Sequence, residues 1–147
     1  MKNLVFAVGF LLFISTGSFA QKSAVFNPSE GAIHGYDPVA YFTESKAVKG
    51  DAKFTYTWNT VTWYFASQQN LDAFKANPEK FAPQYGGYCA FGLADGHKAP
   101  TDPEAWTILD NKLYLNYNKN VQQSWKKKSQ EYIQVADKKW PLLKDKE

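Results

Sequence analysis

The sequence contains no arginine: its 17 basic side chains are all lysines, set against 14 acidic residues. Arginine is the residue whose planar guanidinium recognises phosphate groups and base edges with two parallel hydrogen bonds. The net charge is only +3, and the basic run SWKKKSQ is typical of a solvated helix face. The composition therefore argues against nucleic acid as a partner.

Cysteine and histidine are also scarce. Cys89 is the only cysteine, His34 and His97 are the only histidines, and the only methionine is the initiator. One cysteine cannot form an internal disulfide, and a zinc site with paired Cys-x-x-Cys motifs is excluded. Four roles remain open for the thiol: buried apolar filler, half of an intermolecular disulfide, nucleophile, or soft metal ligand.

A hydrophobic run long enough to span a bilayer is missing. The apolar stretch from Leu4 to Ile14 is about eleven residues, whereas a membrane-spanning helix needs roughly 20. Preceded by Lys2 and followed by the small residues Ser18 and Ala20, this stretch is typical of a secretory signal peptide over residues 1–20. We expect the mature chain to be exported, to the periplasm or the extracellular space, with no stable membrane insertion after cleavage.

Catalytic motifs are absent as well. The sequence has neither a phosphate-binding glycine loop nor a nucleophile elbow. The carboxylates Asp37, Asp102 and Asp110 lie beside turn signals, where aspartate shapes the backbone. No local motif places a histidine beside Cys89 as the base that a nucleophile needs. These features predict a protein that is not an enzyme.

Aromatic residues are abundant, with 11 Phe, 9 Tyr and 5 Trp, so large rings must fill much of the interior. KFTYTWN alternates aromatic and polar residues and VTWYFAS continues the alternation, which predicts a β-hairpin. AWTILDNKLYLNY predicts a second hairpin that turns at Asp110-Asn111.

Helix signals complete the predicted fold. Ser67 is a candidate cap for a short central helix over QQNLDAFKA, and Asn118 for a long final helix from about Lys119 to Lys139. The sequence shows no internal repeat. We predict a polar lead over residues 21–31 and a small single domain of the α+β class over residues 32–143, with two β-hairpins.

Three segments in a fixed order resemble one family. GYDPVAYF, WYFASQQNLDAFKANPEKFAPQYGGYCA and LYLNYN are similar to the exported, longer members of the YHS domain family. The resemblance runs from about Ala32 to Trp140. It implies a shared frame made of the first hairpin, the helix that follows it and the NPEKF turn.

The resemblance also bears on metal binding. Short YHS domains in copper-transporting ATPases are implicated in binding metals through cysteines in a DPVC-like segment and in a later FCSxxC segment. This chain has Ala40 at the first of these positions, and Ala66 and Asn70 at the later two. The family's thiolates are therefore missing here. A metal role then depends on Cys89 together with a histidine.

The loop GGYCAFGLADGH is the place where such a site would form. Gly86 and Gly87 allow the backbone to bend ahead of Cys89, and His97 follows across a turn. A thiolate with imidazole suits Cu(I) or Zn(II). We predict a soft-metal site, with copper favoured over zinc, whose ligands are Cys89 and one or both of His34 and His97.

The alternative is a metal-free module that binds a small molecule or a protein. Several residues flank the same two glycine-bearing segments and would line an aromatic pocket, or would hydrogen bond to the ligands of a metal. They are Tyr36, Asp37, Tyr41, Tyr85, Gly86, Gly87 and Tyr88.

Overall fold

The computed structural model describes residues 23–146, so the predicted signal peptide lies outside the described residues. The described part is α+β, as expected, with two antiparallel hairpins and a C-terminal helix of 15 residues. The elements in chain order are a first 3-10 turn (Ala32–Gly35), α1 (Ala40–Thr43), β1 (Asp51–Trp58), β2 (Val61–Phe65), α2 (Gln68–Ala76), α3 (Pro78–Phe81), a second 3-10 turn (Gln84–Gly87), α4 (Ala90–Asp95), β3 (Trp106–Leu109), β4 (Lys112–Leu115), α5 (Lys119–Lys126) and α6 (Ser129–Leu143).

Both predicted hairpins are confirmed. β1 pairs with β2 across a turn at Asn59 and Thr60, and β3 pairs with β4 across Asp110 and Asn111. All four turn residues have positive φ, between 49° and 64°. Two consecutive residues in the left-handed region form the hairpin turn whose twist matches that of the strands.

Side-chain caps start two of the helices, as the sequence predicts. The Ser67 hydroxyl accepts a hydrogen bond from the Asn70 backbone N–H (3.2 Å), and the Asn118 side chain accepts one from the Val121 N–H (2.8 Å). Each bond satisfies a donor that the first helical turn cannot pair internally.

The final helix is not continuous, contrary to the prediction from Lys119 to Lys139. It is divided into α5 and α6, because Lys128 leaves the helical region at φ −142° and ψ 37°. Trp125 and Ala136 are nevertheless both buried in the same core. Periodicity did not reveal the break, since the apolar stripe keeps its spacing across it.

The interior has two clusters of buried side chains. The first, called core 1, surrounds Trp63, Phe65 and Phe74, and the second, called core 2, surrounds Leu93 and Trp125. All five side chains are at most 1% exposed. The aromatic interior predicted from composition is thus present in both clusters.

Strand β4 contributes to both cores. Leu113 and Leu115 belong to core 1, and Tyr114 between them belongs to core 2. This division follows from the alternation of side chains along a strand. Within residues 23–146, no helix has the length and apolar character needed to cross a bilayer.

Candidate functional site

Cys89 lies in the packed interior, with 2% of its surface exposed. Its thiol donates to the Asn116 side-chain oxygen (Sγ to Oδ1, 3.6 Å), and the same oxygen accepts a hydrogen bond from the Phe91 N–H (3.3 Å). The Cys89 N–H donates to the Ala99 carbonyl (3.0 Å). The thiol therefore has an amide partner in a buried position.

Asn116 is itself fully buried. Its Nδ2 has no hydrogen-bond partner in the part of the chain that the structure describes. Nothing in the sequence singled out this residue, because its contact with Cys89 joins positions 27 residues apart.

The two histidines lie in different surroundings. The Nε2 atom of His34 is 3.2 Å from the Thr101 carbonyl oxygen, and its Nδ1 atom is 3.4 Å from a carboxylate oxygen of Glu30. The side chain of His97 is 58% exposed and pairs with Asp95 (Nδ1 to Oδ2, 3.4 Å). Among residues 23–146, no group of three or more His, Cys, Asp and Glu side chains is arranged to hold a metal ion.

Asp37 occupies the centre of a buried hydrogen-bond network and is 0% exposed. Its Oδ1 accepts from the N–H groups of Val39 (2.8 Å) and Ala40 (3.3 Å). Its Oδ2 accepts from the Ala66 N–H (2.8 Å) and from the Asn70 side-chain Nδ2 (2.7 Å). Four donors around one carboxylate satisfy most of its acceptor capacity.

This network involves the three positions where the resemblance places the cysteines of metal-binding relatives, namely Ala40, Ala66 and Asn70. Two of these residues contribute backbone N–H groups and the third contributes an amide N–H. Hydrogen-bond donors repel a cation, so the residues present do not fit the family's thiolate site. They hold a carboxylate there instead.

The four tyrosines of the predicted pocket do not converge on one cavity. Tyr41 is fully buried in core 1 and its hydroxyl donates to the Pro103 carbonyl (2.9 Å). Tyr36 is half-buried beneath the Lys49 ammonium, 5.0 Å from the ring centroid. Tyr88 donates to the Ser23 carbonyl (2.7 Å). Tyr85 lines a separate groove together with Gly86.

That groove, called here the aromatic groove, has a volume of about 480 Å³. Its aromatic lining comes from hairpin β1–β2, the second 3-10 turn and α6, and its polar groups include both charge signs. The aromatic lining residues are Trp58, Trp63, Tyr85 and Trp140, and the polar ones are Asn59, Glu79, Gln84 and Lys144.

Hydrogen bonds orient two of these rings. The indole N–H of Trp63 donates to the Trp58 carbonyl (3.1 Å), and the Tyr85 hydroxyl donates to an Asp137 carboxylate oxygen (2.8 Å). Burial, reinforced by this bond to Asp137, raises the pKa of Tyr85 well above that of a free phenol. Tyr85 therefore keeps its proton and remains a donor at neutral pH.

The comparisons with known proteins bear on the first part of the domain. Residues 39–85 match the family model of the YHS domain, and no curated protein and no solved structure matches the chain. The matched segment begins inside the Asp37 network and ends at Tyr85 in the aromatic groove. Residues 39–85 therefore match the YHS domain that the sequence motifs indicated.

Proposed function

We propose that the protein is an exported, non-enzymatic YHS-domain protein that binds a small, flat, amphiphilic molecule in the aromatic groove. The observation that carries the proposal is the combination of four aromatic rings with a polar rim in one groove of about 480 Å³. Ligand sites are typically clefts of roughly 300–1,000 Å³, lined mainly by apolar and aromatic side chains with a few polar groups.

The chemistry of the lining indicates the class of ligand. Trp58 and Trp140 are half-buried and can offer ring surface to a planar apolar group. Glu79 and Lys144 lie at the same groove with opposite charges, and both are exposed. A molecule with a planar body and a charged or hydrogen-bonding edge complements this arrangement.

The test is a thermal-shift screen of the mature protein against planar aromatic acids, amines and amides. We expect at least one class to raise the Tm, and we expect Trp140→Ala to abolish that rise. Trp106→Ala is the matched control, because Trp106 is half-buried and is not among the residues that line the groove. No stabilising compound, or a rise that survives in Trp140→Ala, would contradict the proposal.

A soft-metal site at Cys89 with His97 or His34 is the second candidate, with copper favoured over zinc. Metal binding is the role linked to other YHS domains, and the histidine nearer to Cys89 along the chain packs against α4. The Nε2 atom of His97 lies 3.3 Å from the point where a Cβ on Gly92 would stand. Gly92 belongs to α4, the helix that begins immediately after Cys89.

This candidate is tested by Cu(I) competition with a chromophoric chelator under reducing conditions. One-to-one binding that is lost both in Cys89→Ser and in a His34→Ala, His97→Ala double variant would support it. Binding that survives either change, or none above background, would reject it. The groove screen is unaffected by these variants, so the two candidates are judged separately.

A further inference from the structure

The order of elements in the described chain repeats once. A 3-10 turn, a helix, a two-stranded hairpin and two helices span residues 32–81, and the same series spans residues 84–143. Both hairpins close with two-residue turns in the left-handed region. In both halves, the helix after the hairpin is capped by a side chain that accepts from the N–H three residues on.

The two 3-10 turns also have matching backbone angles. Ile33, His34 and Gly35 have φ values of 51°, 51° and 78°, and residues 85, 86 and 87 have 57°, 62° and 84°. An extended tyrosine follows each turn, at φ −83° for residue 36 and −72° for residue 88. Positive φ is uncommon for residues other than glycine, and Ile33, His34 and Tyr85 adopt it in these turns, so the coincidence is specific.

Hydrogen bonds after the turns match as well. The N–H of Asp37 donates to the Val48 carbonyl (2.8 Å), and that of Cys89 donates to the Ala99 carbonyl (3.0 Å). In each case the acceptor lies in the segment that follows the first helix of the half. The residue after the tyrosine is thus held in the same way in both halves.

From these correspondences we infer that the domain is a tandem duplication, with unit 1 over residues 32–81 and unit 2 over residues 84–143, in which Cys89 is the counterpart of Asp37. Each core is built mainly by one unit, core 1 by unit 1 and core 2 by unit 2. The family match begins in unit 1 and ends at the second residue of the second 3-10 turn, so most of unit 2 lies outside the match.

The equivalence explains the surroundings of the thiol. In unit 1, the Asp37 carboxylate accepts from the N–H two residues on, at Val39. In unit 2, the N–H two residues after Cys89, at Phe91, donates to the Asn116 side-chain oxygen instead, and the thiol donates to the same oxygen. The Cys89–Asn116 pair therefore does in unit 2 what one carboxylate does in unit 1.

If the proposed function is correct, the duplication means that the ligand site in the aromatic groove lies between the two units. Unit 1 contributes Trp58 and Glu79, and unit 2 contributes Tyr85 and Trp140. A ligand in this groove touches both units. A single YHS unit of the short kind would lack half of such a site.

Cys89→Asp tests the inference, because an aspartate in a packed core is ordinarily among the most destabilising changes. If position 89 corresponds to Asp37, the new carboxylate can accept from the Phe91 N–H. It can also accept from Asn116 Nδ2 after a flip of that amide, as Asp37 accepts from the Asn70 amide. Leu93→Asp is the matched control, since Leu93 is 0% exposed on α4, the helix that Cys89 precedes.

We expect Cys89→Asp to unfold cooperatively, with less than half of the Tm loss of Leu93→Asp. We also expect its Tm to fall on acidification from pH 7 to pH 4, relative to Cys89→Val, because protonation removes an acceptor that the fold uses. A Tm loss as large as that of Leu93→Asp, or a Tm that rises on acidification, would overturn the inference. Neither result depends on ligand binding in the groove, so the proposed function is tested apart from it.

Discussion

Asp37 and Asn70, 33 residues apart in the sequence, are joined by a 2.7 Å hydrogen bond from the amide Nδ2 to the carboxylate Oδ2. The bond closes a network in which Val39, Ala40 and Ala66 supply the other donors. It ties the start of α1 to the end of β2 and the first turn of α2. One buried carboxylate thus fixes the relative positions of three elements in unit 1.

Asp37→Asn should destabilise the protein by at least about 2 kcal/mol, because an amide cannot accept all four hydrogen bonds and loses the charge that strengthens them. The free energy of unfolding in urea measures the loss. Asp72→Asn is the control, because Asp72 is exposed and accepts from Gln68 on the surface of α2. An effect of Asp37→Asn no larger than that of the control would show that the network contributes little.

Ala66→Cys combined with Asn70→Cys should create a thiolate site beside Asp37. The change replaces an amide donor with a thiolate and restores two positions at which the resemblance places cysteine, so we expect Cd(II) and Zn(II) binding. Cadmium–thiolate charge-transfer absorption measures the gain, with Ala66→Cys alone as the control. Equal absorption in the single and double variants would mean that the two positions do not share a metal ion.

Gly86→Ala should destabilise the protein more than Gly87→Ala does. Both residues have positive φ, which costs an alanine about 1–2 kcal/mol, but a Cβ at position 86 would also collide with the Ala24 carbonyl. At position 87 the nearest atom is Cγ of Pro83, at 3.2 Å. Tm values for the two variants measure the difference. Equal losses would mean that residues 24–26 move away from the second 3-10 turn without cost.

Stability should fall steeply above pH 10. Burial raises the pKa of Tyr114 to about 12 in the folded state, whereas in the unfolded chain a tyrosine ionises near 10. The stabilisation is complete below pH 10 and is lost as the pH rises toward 12, with a slope of about 1.4 kcal/mol per pH unit for each such tyrosine. Urea unfolding between pH 8 and pH 11 measures the slope. Tyr114→Phe should reduce it, and an unchanged slope would exclude Tyr114 as a contributor.

The elements predicted correctly depend on local signals. Ser67 and Asn118 cap helices with bonds to residues three positions away, and the turn at Asp110-Asn111 is set by two adjacent residues. Alternation of apolar and polar residues predicts the strands because it, too, is a pattern among neighbouring positions. These features require no knowledge of how distant segments pack.

The candidate site could not be predicted in this way. Trp58 and Trp140 face the same groove, yet in the sequence one belongs to a strand pattern and the other to a helical stripe. The partnership of Cys89 with Asn116 is equally non-local. The duplication is hidden because the two 3-10 turns, although alike in backbone, share only glycine and tyrosine at positions 35–36 and 87–88.

The position of β4 between the two cores has a consequence for folding. Leu113 and Leu115 complete core 1, while Tyr114 completes core 2, so neither unit can lose its interior without exposing part of the other. We therefore expect a single equilibrium transition, with fluorescence from core tryptophans and circular dichroism giving the same midpoint. A shared strand makes two ancestral copies into one cooperative molecule.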